Sequence, residues 1–117
     1  MGKHNETGAR GEHMAEESLI ARGYTLLHRN WRTAHKEVDL IALDGDMLVF
    51  IEIKTRSGLR FGFPEEAVSL AKQAHLRAAA EVFLDLYPQY TTVRFDVISI
   101  LLRNGDIEEL LHLRDAF

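Results

Sequence analysis

Two stretches read as strands from their pattern alone. Glu37–Leu43 and Met47–Thr55 are β-branched and apolar, with charges inserted at single positions. Asp44-Gly45-Asp46 between them is a hairpin signal. Before them, Thr7–Arg22 reads as a helix with Thr7 as its N-cap, Met14, Ala15, Leu19 and Ile20 as an apolar stripe, and Gly23 as its stop. Tyr24–Trp31 alternates loosely and fits a strand. Arg56–Phe63, with Gly58 and Gly62, reads as a loop, and Pro64 can open the next helix. That helix spans Glu65–Leu86, with Val68, Ala71, Ala74 or His75, Ala78, Val82 and Leu86 at helical spacing, and Pro88 closes it. Thr92–Leu102 is a strand, Asn104-Gly105 a turn, and Asp106–Leu113 a last element of undecided type. The order α-β-β-β-α-β predicts an α/β fold, a mixed sheet flanked by helices.

The 117 residues suit one domain, residues 1–117, and neither a repeat nor a linker interrupts them. The longest apolar run, Met47–Ile51, is far too short to span a membrane, and the first residues lack the apolar core of a secretion signal. There are no cysteines, which excludes disulfides, thiolate zinc sites and cysteine nucleophiles. A cytoplasmic protein without membrane contact is the simplest expectation. The net charge of −4 disfavours a nonspecific nucleic-acid coat. Residues 1–60 nevertheless balance nine basic against nine acidic side chains, and metal ions can offset some of these carboxylates.

The chemistry lies in the charges that interrupt the two clear strands. Period two places Glu37 with Asp39, and Glu52 with Lys54. A two-residue Asp44-Gly45 turn sets Asp39 opposite Phe50, with Glu52 diagonal to it at about 7–8 Å. A four-residue loop sets Asp39 directly opposite Glu52, about 5 Å apart. Either register puts Asp39, Glu52 and Lys54 on one face, and Val38, Leu40, Val49, Ile51 and Ile53 on the other. Facing carboxylates in an apolar sheet repel, and a divalent cation removes that cost. Lys54 could then orient the attacking water or neutralise charge on a phosphate. A cross-strand Glu–Lys salt bridge on a solvated face satisfies the same spacing, which does not choose between the two.

Asp39 followed by Glu52-Ile53-Lys54 after a hairpin resembles the Asp…Glu-x-Lys signature of restriction-endonuclease-like nucleases. More narrowly, nearly the whole chain resembles the YraN-like family of bacterial proteins, to which endonuclease activity is ascribed. The resemblance rests on an ordered set of blocks: Gly8-Ala9-Arg10-Gly11-Glu12, Arg29-Asn30-Trp31-Arg32, Glu37 to Ala42, Val49 to Arg56, Phe61-Gly62, Glu66-Ala67-Val68, Lys72-Gln73 and Arg94 to Ile98. Lys36 stands where that family usually has glycine, which bears on the turn into the second strand but removes no ligand.

The resemblance implies a restriction-endonuclease-like core and roles residue by residue. Asp39 and Glu52 match metal-binding carboxylates for Mg2+ or Mn2+, and Lys54 the catalytic lysine. Glu12 matches an additional acid near the metal in Holliday-junction resolvase-like nucleases. Gln73 matches a polar residue that completes such sites, and Glu37 is a weaker candidate. Each has a plainer reading. Glu12 suits the first turns of a helix, and Gln73 suits a solvated helix face. Asp96, interrupting an apolar strand, reads as a buried hydrogen-bond partner rather than a catalyst. Trp31 reads as a packing anchor before a base-stacking platform. Arg29, Arg32, Arg56 and Arg60 suit phosphate contacts or ordinary surface charge equally. The six histidines show no zinc-ligand spacing, and no Walker loop, nucleotide-binding glycine fingerprint or nucleophile elbow is present.

The expectation is therefore a Mg2+- or Mn2+-dependent endonuclease acting on DNA, branched or structured DNA included. The alternative is a nucleic-acid-binding or adaptor module that keeps the fold without cleavage. The acidic balance and small size favour a homodimer or a protein partner that adds DNA contact.

Overall fold

The structure is a computed structural model that describes the backbone of residues 3–57 and 68–117, and the side chains of 9–56 and 68–117. It is α/β. Helix α1 (Lys3–Ala21) is followed by β1 (Thr25–Thr33), β2 (Lys36–Asp44) and β3 (Met47–Ser57). Helix α2 (Leu70–Leu86) then crosses over to β4 (Val93–Arg103) and β5 (Asp106–Leu113). The five strands form one sheet in sequence order, antiparallel except where β3 lies parallel to β4. That parallel pair is central, and its apolar residues are buried against a helix layer on either face.

Beneath α1, Ala15 and Leu19 pack on Leu40, Ala42, Val49, Ile51, Ile53 and Ile98. Beneath α2, Leu76, Ala79, Ala80 and Phe83 pack on Ile41, Leu48, Phe50 and Val97. Phe83 is the hub of the second layer, with Trp31 and Phe50 meeting its ring edge-on at 5.3 and 5.6 Å. Trp31 is thus the packing anchor that its singularity suggests.

Several expectations need correction. The first helix begins at Lys3, so Thr7 lies inside it rather than capping it. In α2 the buried stripe is Leu76, Ala79, Ala80 and Phe83, while Ala71, Ala74, His75, Val82 and Leu86 are exposed. An alanine-rich helix offers two stripes at helical spacing, and the one with the larger side chains buries more apolar area. The helix starts at Leu70, where Ser69 Oγ accepts from the Lys72 N–H at 3.1 Å. Gly58, Arg60, Phe61, Gly62, Pro64, Glu66 and Ala67 lie outside the described residues. Asp106–Leu113 is a strand, paired antiparallel to β4. Among the described residues, no helix is long and apolar enough to cross a membrane.

The β2–β3 register pairs Leu43 with Leu48 and Leu40 with Ile51, as the four-residue-loop alternative has it, not the Asp44-Gly45 turn. Pairing continues through Asp44 and Met47, so only Gly45 and Asp46 turn the chain, with Gly45 at φ +63°. The simple alternation fails at one place. Val38 packs beneath α2, while Leu40, Val49, Ile51 and Ile53 pack beneath α1. Next to this point in β1, Asn30 takes φ +50° between Arg29, which pairs with Leu40, and Trp31, which pairs with Val38. A left-handed residue re-aims its neighbours, and the break in β1 is matched in β2.

Candidate functional site

The site forms where the β2–β3 ladder stops. The last paired residues are Leu40 and Ile51. One step beyond, the Asp39 side chain takes over from the ladder: its Oδ2 accepts the Ile53 N–H at 2.8 Å. This holds the Asp39 carboxylate against β3 beside Glu52. Glu52 is almost wholly buried, at 3% exposure. Burial first, then the neighbouring Asp39 carboxylate, push the Glu52 carboxyl up to about 8, with Lys72 and Lys54 pulling it back.

The two faces of the sheet meet at this end. On the α2 side, Lys72 Nζ lies 3.3 Å from Glu52 Oε2. On the α1 side, Gly11 lies so close to β3 that an added Cβ would sit 3.0 Å from Thr55 Cβ and overlap the Thr55 hydroxyl. That close approach brings in the next residue, Glu12. Its carboxyl is raised by partial burial and then by the charges of Asp39, Glu37 and Glu16. Asp39 is therefore felt from both layers, by Glu12 and by Glu52.

Asp39, Glu52, Lys54 and Glu12 thus gather at one end of the sheet. Gln73 follows Lys72 on α2, and its Nε2 donates to the Val68 carbonyl at 3.3 Å rather than to the cluster. Glu37 pairs with Arg32 at 3.5 Å, and Arg29 with Glu16 at 2.8 Å. Both arginines are exposed, yet each is engaged by a carboxylate of its own chain. Arg56 is half-buried near the end of β3, and Arg60 lies outside the described residues.

Lys72 is the site residue that the pattern of the sequence does not single out. The helix expected over Glu65–Leu86 put Lys72 two turns in, and only the Lys72-Gln73 block of the resemblance contained it.

A divalent metal fits the donor set in a particular way. Among the described residues, no three His, Asp or Glu side chains gather into a cage. Two adjacent carboxylates with a third acid nearby suit a hard cation such as Mg2+, which takes one or two carboxylates and keeps waters or phosphate oxygens. The five histidines with described side chains offer no rival site for a softer metal among the described residues.

A second polar centre lies on the α1 face of β4. Asp96 is fully buried. Arg94 donates to both its oxygens at 2.8 and 2.9 Å, the Asp115 N–H reaches Oδ1 at 3.0 Å, and His112 Nε2 lies 2.7 Å from Oδ2. Arg22 Nη1 is 2.9 Å from His112 Nδ1, and a guanidinium can only donate. His112 Nδ1 therefore accepts, and Nε2–H donates to Asp96. Arg94 also bonds the Tyr24 hydroxyl at 2.6 Å and Asp44 at 2.9 Å. Despite burial, the donors from His112 and Arg94 hold the Asp96 carboxyl down to about 2. Asp96 is the buried hydrogen-bond partner that its place in an apolar strand suggests.

Comparison with known proteins places this geometry in a family. Residues 11–100 match the model described as "Uncharacterised protein family UPF0102". The chain belongs to the UPF0102 family. A UPF0102 protein of Rhodococcus jostii (strain RHA1) is 46% identical over 111 residues, covering 94% of each chain. One from Bacteroides thetaiotaomicron is 41% identical over 117 residues, covering 100% of this chain and 96% of the relative. A third, from Caldicellulosiruptor saccharolyticus, is 40% identical over 114 residues, covering 96% and 97%. The UPF0102 match takes in Glu12, Asp39, Glu52, Lys54 and Lys72, and also Asp96. The YraN-like resemblance read from the sequence is to this same family.

Proposed function

We propose that this UPF0102 protein is a Mg2+- or Mn2+-dependent endonuclease that hydrolyses phosphodiester bonds in DNA, with branched or structured DNA as the sharper expectation, on a restriction-endonuclease-like core. The observation that carries the reading is the pair Asp39 and Glu52: adjacent carboxyls, one deeply buried, at the split end of a sheet. A purely structural acid is expected to be satisfied by donors. Here burial and its neighbour instead work against the charge of Glu52, and a cation would reverse that.

Asp39, Glu52 and Glu12 would hold the metal, which when bound supplies Lewis acidity to the phosphate and lowers the pKa of water. The chain's own part is positioning. The Ile53 N–H fixes the Asp39 carboxylate, so one ligand is oriented before any metal arrives. Lys54, on the strand face of Glu52, brings a cation to offset charge developing on the phosphate. Gln73, next to Lys72 in α2, would complete the site only by leaving the Val68 carbonyl.

The adaptor reading keeps one observation in its favour. Arg29 and Arg32 are tied to Glu16 and Glu37, which leaves them poor phosphate anchors. On the nuclease reading, a second copy or a protein partner supplies the missing contact.

The test is cleavage of linear, nicked and four-way DNA with Mg2+ or Mn2+, with Glu52→Gln as control. Metal-dependent cutting lost in the variant is the expected outcome. Purified protein that cuts none of these, alone or with a partner, moves the assignment to the adaptor. Cutting unchanged in Glu52→Gln points to another site or a contaminant.

A further inference from the structure

Lys72 is held in an unusual way. Its backbone N–H is pinned by the Ser69 cap at 3.1 Å, which places it in the first turn of α2. A cation there opposes the helix dipole. Its side chain is 36% exposed and reaches down to Glu52, whose side chain is only 4% exposed. So a partly exposed lysine side chain reaches a buried acid from a position that local electrostatics disfavours.

The oxygen it contacts is one of those that a divalent ion would need. Glu52 Oε2 is 3.3 Å from Lys72 Nζ, and Glu52 is flanked by Asp39. An ammonium and a divalent cation cannot both sit against this carboxylate without strong mutual repulsion.

Resting on the metal-dependent reading above, we propose that Lys72 is a built-in stand-in cation. Its ammonium keeps the empty site together by pairing with Glu52, a divalent metal displaces it, and the released ammonium pairs with the phosphodiester substrate. Charge supports the sequence of events. With Lys54 and Lys72 against Asp39, Glu52 and Glu12, adding a divalent ion leaves the cluster one positive charge in excess, which a phosphodiester monoanion balances. Displacement also removes the one ion-pair partner that Lys72 has among the described residues, so an incoming anion becomes its preferred neighbour.

Lys72 therefore lowers the affinity for metal while promoting the reaction, an opposition that a purely structural salt bridge would not produce. The experiment is calorimetric titration of Mn2+ into wild type, Lys72→Met and Lys72→Arg, each first shown to be folded by circular dichroism, followed by cleavage rates. Lys72→Met is expected to bind Mn2+ about tenfold more tightly, because a repelling charge is gone, and to cut more slowly. Lys72→Arg, which keeps the charge, is expected to bind as wild type does. Equal or weaker Mn2+ binding by Lys72→Met overturns the stand-in role and leaves the metal site in place. Tighter binding with undiminished cutting overturns the phosphate role. A wild type that binds no Mn2+ removes the metal reading itself, and this proposal with it.

Discussion

Glu52 and Asp96 are buried acids on adjacent central strands, one rung apart: Ile51 pairs with Asp96, and Glu52 with Val97. They point to opposite faces, and their surroundings push them in opposite directions. Asp96 meets donors from Arg94, His112 and the Asp115 backbone, and its carboxyl is held down to about 2. Glu52 meets another carboxylate, only partly offset by Lys72 and Lys54, and its carboxyl is pushed up to about 8. Burial is common to both, so donor count decides. Asp96 is a finished structural centre that ties together the start of β1, the ends of β2 and β5 and the chain after β5. For Glu52 the lysines only partly offset burial and the neighbouring carboxylate, which is the condition expected of a group that takes a further cation.

The largest effect that would sharpen this contrast is on Asp96. Asp96→Ala leaves Arg94 buried beside a lost partner, and breaking such a pair is expected to cost about 3–5 kcal/mol. Urea unfolding checks this. A loss within about 0.5 kcal/mol, the range of surface substitutions, would deny Asp96 its structural role.

Next comes Lys54→Ala. An ammonium cannot ligate a cation, so this variant should keep its fold and much of its metal affinity. Cleavage should fall by about 10²–10³-fold, as when a charge-stabilising group is removed. Wild-type turnover would remove Lys54 from the mechanism.

The smallest effects are in pH dependence, where the two acids have opposite signs. The folded-state carboxyl of Asp96 lies below its usual value. Its contribution is present above pH ~4 and lost as pH falls towards 2, on the order of 2 kcal/mol in all. That of Glu52 lies above its usual value. In metal-free protein its contribution is present below pH ~4.5 and lost as pH rises towards 8. Asp96→Asn should flatten the acid slope alone, and Glu52→Gln the neutral-to-alkaline slope alone. Chemical denaturation across pH 2 to 9 reads both, and a slope that persists in its variant breaks the assignment.

How much of this was legible in the residues differs between the two centres. That Asp39 and Glu52 come close was legible from period two and the hairpin, which left two registers open, one of them the register observed. The expected face of Val38 failed because alternation breaks at Asn30, where a positive φ leaves no mark on the hydrophobic pattern. Lys72 was hidden because its contact runs between elements, from α2 to β3, and because a helix expected from Glu65 put it away from the first turn it occupies. The Asp96 centre was half legible. An acid inside an apolar strand demanded partners, but Tyr24, Asp44 and His112 lie 16 to 72 positions away in sequence and share no local signal. The stripe of α2 was misjudged because small alanines mark no unique face, and Phe83 decides it by size.

The central claim is that Glu52 is the acid reserved for metal and Asp96 is not. Thermal unfolding of wild type, Glu52→Gln and Asp96→Asn, each with and without millimolar Mg2+, tests it most directly, because a ligand that binds only the folded state raises the unfolding temperature. The account expects Mg2+ to raise the midpoint of wild type and of Asp96→Asn by similar amounts, and to leave Glu52→Gln unmoved. A Mg2+ shift in Glu52→Gln equal to that of wild type would contradict it.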